Sequence, residues 1–218
     1  MANTLQIKKL QHAEGKAVTI PYLFKDENIE YQAISVGNWS DTFPYHPTVV
    51  FALAHDGKNI YIHYKVEENC VRGVEDADLG YVWEDSCCEF FMMPDEDGGY
   101  YNLEVNCIGS VLLCNGKGRE SRQQASASKL ARIDRWASLG TRALGLLRGD
   151  TSWELALVVP VSSFFNHKIT ELSGLTMKAN FYKCGDKTDQ PHFLSWQKVD
   201  LPKPDFHRPE FFGTIIFE

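Results

Sequence analysis

The sequence predicts an all-β fold, an antiparallel β-sandwich in a single domain spanning residues 1–218. Three observations carry this expectation. Apolar and polar residues alternate with period two along most of the chain, helical periodicity is almost absent, and turn residues punctuate the strands at short intervals. Short strands without helices between them favour two antiparallel sheets packed face to face. With 44% hydrophobic residues in 218, the chain can fill a sizeable core.

The strands follow in order. "IYIHYKV" (60–66) sets Ile60, Ile62, Tyr64 and Val66 on one face against Tyr61, His63 and Lys65 on the other. "CCEFFMM" (87–93) is nearly apolar throughout, the pattern of a strand covered on both sides. "YYNLEVNC" (100–107) alternates without a break, Tyr101, Leu103, Val105 and Cys107 opposing Tyr100, Asn102, Glu104 and Asn106. "WELALVVP" (153–160), "MKANFYKC" (177–184) and the terminal "GTIIFE" add further strands. Turns are expected at "HDGKN" after Ala54, at "PDEDGG" (94–99) and at "LRGDTS" (147–152), and a long loop at "GKGRESRQQASAS" (116–128). No internal repeat or change of composition marks a domain boundary.

Charge narrows the function. There are 22 basic and 29 acidic side chains, a formal charge of −7, and no dense basic stripe, which argues against nucleic acid and anionic membrane as partners. No run of 18 apolar residues is present, and "MANTLQIKKLQHAEGKAV" lacks the apolar centre of a signal peptide. The six cysteines show no CxxC pair and no zinc-type spacing. Cys87 and Cys88, as neighbours on a strand, should face opposite ways, which suits free buried thiols and a reducing, cytoplasmic setting; the location itself stays open.

Chemistry concentrates at "VWEDSCCEFFMM" (82–93), where Trp83 and the acids Glu84, Asp85 and Glu89 border a buried strand. The "PDEDGG" turn should place this strand beside "YYNLEVN", bringing Glu89 near Asn102, Glu104 and Asn106. Amides and carboxylates interleaved with tyrosines suit a sugar: its hydroxyls take hydrogen bonds while its C–H faces lie against aromatic rings. A solvated strand face whose Asn side chains satisfy nearby backbone is the competing reading. Trp83 and Trp196 could clamp a ring or be core residues, and Arg119 and Arg122 could serve hydroxyls or form surface salt bridges.

The series "WEDSCCEFF", "YYNLEVNCIGSVL", "GKGRESR", "ANFYKCGD", "PHFLSW" and "PDFHRPEFFG" resembles the family 9 carbohydrate-binding modules and their stand-alone relatives among the DOMON-like β-sandwiches, from about "AISVGNW" onward. The resemblance implies non-catalytic binding of a mono- or oligosaccharide, and a role in polysaccharide metabolism. It implies a sugar end held between Trp83 and Trp196, with Glu89, six positions after the first Trp, and Arg119 bonding hydroxyls. The basic residue preceding that acid in some members is Cys88 here. Asn102, Glu104, Asn106 and Tyr182 complete the expected site, Asp85 bracing the strand entry and Glu84 facing solvent. No cofactor is expected beyond a structural calcium, for which the acids of "PDEDGG" or Asp76 and Asp78 are candidates. Two alternatives remain: a glycosidase using Glu89 and Glu104, and a haem domain with axial ligands among Met92, Met93, His63 and His192.

Overall fold

The computed structural model describes residues 2–95 and 99–218. In chain order the strands are β1 (Thr4–Lys9), β2 (Gln32–Ala33), β3 (Thr48–His55), β4 (Asn59–Gly73), β5 (Cys87–Met93), β6 (Tyr100–Asn106) and β7 (Val111–Gly116). Then come β8 (Gln123–Gln124), β9 (Asp134–Ala137), β10 (Gly145–Pro160), β11 (Thr176–Cys184), β12 (Phe193–Ser195) and β13 (Gly213–Phe217). Two short helices, α1 (Ile20–Asp26) and α2 (Ala127–Leu130), and several 3-10 turns complete the chain.

The strands run in the order β8-β7-β6-β5-β11-β13-β1-β3-β4-β10-β9, curled so that two halves face each other. The turn of the curl lies in β1, whose residues Thr4–Ile7 pair with β13 and whose Lys8 and Lys9 pair with β3. Both pairings of β1 are parallel, so the sandwich is mixed rather than wholly antiparallel. A strand that changes partner in mid-course lets one sheet serve both layers.

Alternation dictates the layers. From β5, Cys88, Phe90 and Met92 enter the core between the halves, where they meet Phe51, Ile62 and Leu155 from the other half. Phe181 of β11 stacks between Phe51 and Phe90, with ring centroids 3.9 and 4.7 Å apart. Large apolar side chains of this kind each contribute about 1.5–3 kcal/mol by leaving water. Cys87 and Phe91 point the opposite way, into a second cluster on the outer face of the β5–β6–β11 half. Every thiol is free and buried, and Cys87 and Cys88 do face opposite sides.

Two further expectations change. "LRGDTS" does not end a strand: β10 runs through it, with Gly149 at φ +107° and a register shift against β4 between Arg148 and Thr151. The two signals that read as a turn are those of a β-bulge, because a Gly in a left-handed conformation can shed one residue of register while the ladder continues. The helix "IPYLFKD" was also not expected. Its Ile20 and Phe24 pack on Tyr61, Ala156 and Val158 on the outer face of β4 and β10, too short a stripe to show helical periodicity. The stretch 116–128 is mostly loop, as expected, interrupted by β8 and the start of α2. Among the described residues no helix is long and apolar enough to cross a membrane.

Candidate functional site

The outer face of β5, β6, β7 and β11 carries a groove of about 630 Å³, within the roughly 300–1,000 Å³ usual for small-ligand sites. Its floor is built by register. Glu89 on β5 lies directly opposite Glu104 on β6 and Tyr182 on β11, and Asn102 is two residues along β6 on the same face as Glu104. Asn102 Nδ2 donates to Glu104 Oε1 at 2.7 Å, and Arg122 Nε donates to Asn102 Oδ1 at 2.8 Å. The Arg122 guanidinium lies 4.2 Å from the Tyr100 ring centroid and also donates to the carbonyls of Gly118 and Tyr100. Arg122 therefore fixes the amide that fixes Glu104.

Two aromatic pairs line the groove above this floor. Tyr81 and Trp83, in edge contact at 5.1 Å, come from the 3-10 turn Val82–Glu84 and the residue that precedes it. Phe193 and Phe206 come from β12 and the loop after it. The first turn is held from below: buried Asp85 pairs with Arg72 and accepts the amides of Val74 and Glu75 at 3.0 and 2.9 Å. Asp85 thus braces the strand entry. Glu84 does not simply face solvent, since it pairs with Lys187 at 2.9 Å.

Burial shapes the electrostatics. Glu89 is 3% exposed and Glu104 4%. Burial first, and Glu104 beside it second, hold the Glu89 carboxyl well above the usual range. Glu104 is held up at about 7 by burial, against the Asn102 hydrogen bond and the Arg122 charge. Asp186 is raised to about 6 by burial, while Arg119 pulls it down. His207, whose Nδ1 lies 2.8 Å from the Tyr100 hydroxyl, is pushed down to about 3 by burial and by Arg122 and Arg119, so it is a neutral ring at neutral pH. Arg119 is exposed at the rim, 3.9 Å from Asp205.

Of the eight residues expected from sequence, Trp83, Glu89, Asn102, Glu104 and Arg119 line the groove. Three do not. Trp196 is a core residue, edge-on to Phe51 and Phe181 at 6.2 and 5.6 Å, and 6% exposed. The expected clamp of two indoles is therefore not formed. Alternation explains it: along "PHFLSW", Leu194 and Trp196 share the core face, while Phe193 reaches the groove. Tyr182 is on the groove side but is covered by Phe206, stacked at 4.1 Å, and its hydroxyl donates to the Phe206 carbonyl. Asn106, at the end of β6, donates to Asp85 Oδ2 and the Glu75 carbonyl, outside the groove.

Tyr81, Asp186, Phe193, Asp205 and Phe206 also line the groove with no expectation from the sequence behind them, as does Arg122, for which a surface salt bridge is the competing reading. Strict alternation would have found Phe193; the others lie in turns without periodicity. Of the calcium candidates, Asp78 is held bidentately by Arg135 at 2.7 and 3.0 Å and accepts the Val111 amide, while Glu96 and Asp97 of "PDEDGG" lie outside the described residues. The haem candidates are dispersed. Met92 is in the core and Met93 beside the outer cluster, His63 bonds Tyr31 and Glu154, and His192 bonds Lys183.

A model of carbohydrate-binding family 9 matches residues 18–217. The crystal structure of a Bacteroides uniformis protein, provisionally described as carbohydrate-binding, is 46% identical over 100% of both chains, with a TM-score of 0.97. A family 9 module of Caldicellulosiruptor kristjanssonii in complex with glucose is 11% identical, with a TM-score of 0.58 over 99% of this chain and 96% of its own. The cellotriose complex of a family 9 module from the same organism gives 10% identity and a TM-score of 0.60 over 99% and 94%. At that identity the two complexes show the shared fold. No curated protein matches the chain. The match over nearly the whole length, together with the 46% identical relative, shows that this chain belongs to carbohydrate-binding family 9.

Proposed function

We propose that the groove binds a mono- or oligosaccharide without turning it over. The observation that carries this reading is that Glu89, Glu104 and Asn102 line one groove together with the half-buried Trp83. That arrangement sets fixed hydrogen-bonding groups next to a flat apolar ring in one groove. A pyranose would stack on Trp83 and direct its hydroxyls to the floor, with Arg119 reaching from the rim. Phe193 and Phe206 take the part that the resemblance assigns to Trp196. The relatives bound to glucose and cellotriose support a sugar of this size. Stacking and hydrogen bonds must repay the loss of hydroxyl hydration, so affinity is expected to be modest.

The test is a glycan-panel titration followed by tryptophan fluorescence. Trp83→Ala is expected to abolish the response with far-UV circular dichroism unchanged, whereas Phe193→Ala should weaken it. Because Trp196 is in the core, Trp196→Ala should instead destabilise the fold by about 3–5 kcal/mol. Unchanged sugar affinity in Trp83→Ala would refute the site. Glu89 and Glu104 lie side by side on adjacent strands, whereas a glycosidase places two carboxyls on either side of the scissile bond. Release of reducing sugar that disappears in Glu89→Gln would establish turnover instead.

A further inference from the structure

Where Glu89 and Cys184 line the groove, they meet the buried Cys87 in a cluster of three side chains that the saccharide reading does not use as a set. Cys87 and Cys184 are register partners across β5 and β11, and Glu89 follows Cys87 by two residues, so all three project from the same face. Their Sγ and carboxylate oxygen atoms all lie within 4.8 Å of one another. Cys184 Sγ donates to Glu89 Oε1 at 3.0 Å. The other Glu89 oxygen accepts no hydrogen bond from any described residue, although the side chain is 3% exposed and reaches the groove.

We propose that Cys87, Cys184 and Glu89 bind one thiophilic divalent cation, of which Zn²⁺ is the type, with a fourth position open to the groove. The donor set selects the metal: two sulfurs and one carboxylate oxygen suit zinc, and a hard oxygen-seeking ion such as calcium would be served poorly. Bonds of about 2.3 Å to sulfur and about 2.0–2.2 Å to oxygen place tetrahedral ligands roughly 3.5–3.8 Å apart. The present separations reach that with movements of about an ångström, within rotamer adjustment. Glu89 and Cys184 both line the groove, so the cation has an entry path and the open position faces whatever the groove holds. Three protein ligands with one vacancy is the arrangement of zinc sites that engage a ligand rather than only a fold.

Charge is consistent with this. Two thiolates and a carboxylate around a divalent ion leave one negative charge. The ammonium of Lys183, the residue before Cys184 and pointing to the opposite face of the strand, acts favourably on Glu89 and Cys184. In the metal-free protein burial holds both thiols in the protonated form. Binding would therefore release the two thiol protons, and the carboxyl proton that burial helps Glu89 to hold, to water as two sulfur–metal bonds and one oxygen–metal bond form, with no electron transferred.

The site is tested with Co²⁺ as the probe on fully reduced, metal-free protein. One equivalent is expected to give a near-ultraviolet thiolate-to-cobalt band, abolished by one equivalent of Zn²⁺ and accompanied by proton release in weak buffer. The band should be lost in Cys184→Ser and weakened in Glu89→Gln, and kept in Cys70→Ser, which lies outside the cluster. Should Cys184→Ser not fold by circular dichroism, the wild-type titration and Glu89→Gln still decide. The proposal is overturned by a reduced wild-type protein without the band, by a band that survives Cys184→Ser, or by a Cys87–Cys184 disulfide in place of two alkylatable thiols. Sugar binding plays no part in this measurement, so its outcome is separate from that of the saccharide reading.

Discussion

Glu104 and Glu89 show how much one residue's surroundings decide. Two carboxyls side by side on a buried floor cannot both ionise cheaply, so the pair keeps a proton to higher pH than either would alone. The sign of the consequence is determined. Glu104 has a folded-state pKa of about 7 against an ordinary 4.5, so the native chain holds the proton more tightly than the unfolded chain between those values. Its contribution to stability is complete below about 4.5 and is lost as pH rises through about 7. Glu104→Gln, which keeps the shape and cannot ionise, should therefore raise stability at pH 8 by about 1–3 kcal/mol relative to the parent and change it little at pH 4. Urea unfolding at the two pH values checks this. Equal effects at both would show that Glu104 does not titrate differently in the folded state.

At the scale of elements, the groove depends on a turn held by charge. The 3-10 turn Val82–Glu84 carries Trp83, and Asp85 just after it anchors the turn to Arg72 at the end of β4, to two backbone amides and to Asn106 of β6. Asp85 is fully buried. Its loss would leave a partly buried guanidinium and two amides without their acceptor, and breaking a buried pair from one side costs about 3–5 kcal/mol. Asp85→Ala is accordingly expected to lower unfolding stability by that amount. It should also weaken sugar binding in protein that remains folded, because the Trp83 turn loses its anchor. Stability unchanged in denaturant titration would contradict the bracing role. This bracing was legible in the sequence, since an acid beside a buried strand needs a partner; the partner, 13 residues away on β4, was not.

Across the whole molecule the two halves are tied by a buried ionic link as well as by the apolar core. Lys183 of β11 meets Glu68 of β4 at 3.1 Å, both side chains wholly buried, and its ammonium also lies 2.7 Å from His192 Nε2 and donates to the Cys184 carbonyl. Trp153 Nε1 donates to the other Glu68 oxygen at 2.7 Å. Burial alone would lower the Lys183 pKa, but the Glu68 carboxylate outweighs it and the net shift is upward. His192, held well below its usual range by burial and by Lys183, is a neutral acceptor. Glu68→Leu alone should destabilise by about 3–5 kcal/mol, and adding Lys183→Met should recover much of that, because an apolar pair removes both charges together. A double variant as unstable as the sum of the singles would mean that the link is not a unit.

By itself the sequence determined the period-two strands, their inward and outward faces, the free thiols, and five of the groove residues, Trp83, Glu89, Asn102, Glu104 and Arg119. These follow from local alternation and from residue types placed at one strand and its hairpin neighbour, which act over a few residues. Only the tertiary structure decided that Trp196 belongs to the core and Phe193 and Phe206 to the groove, that "LRGDTS" is a bulge within β10, and that Cys184 meets Cys87 and Glu89. Those outcomes depend on which distant strands pair and in what register. A one-residue shift of register turns every side chain to the opposite face, and that choice is made by the packing of the whole sandwich rather than by any single segment.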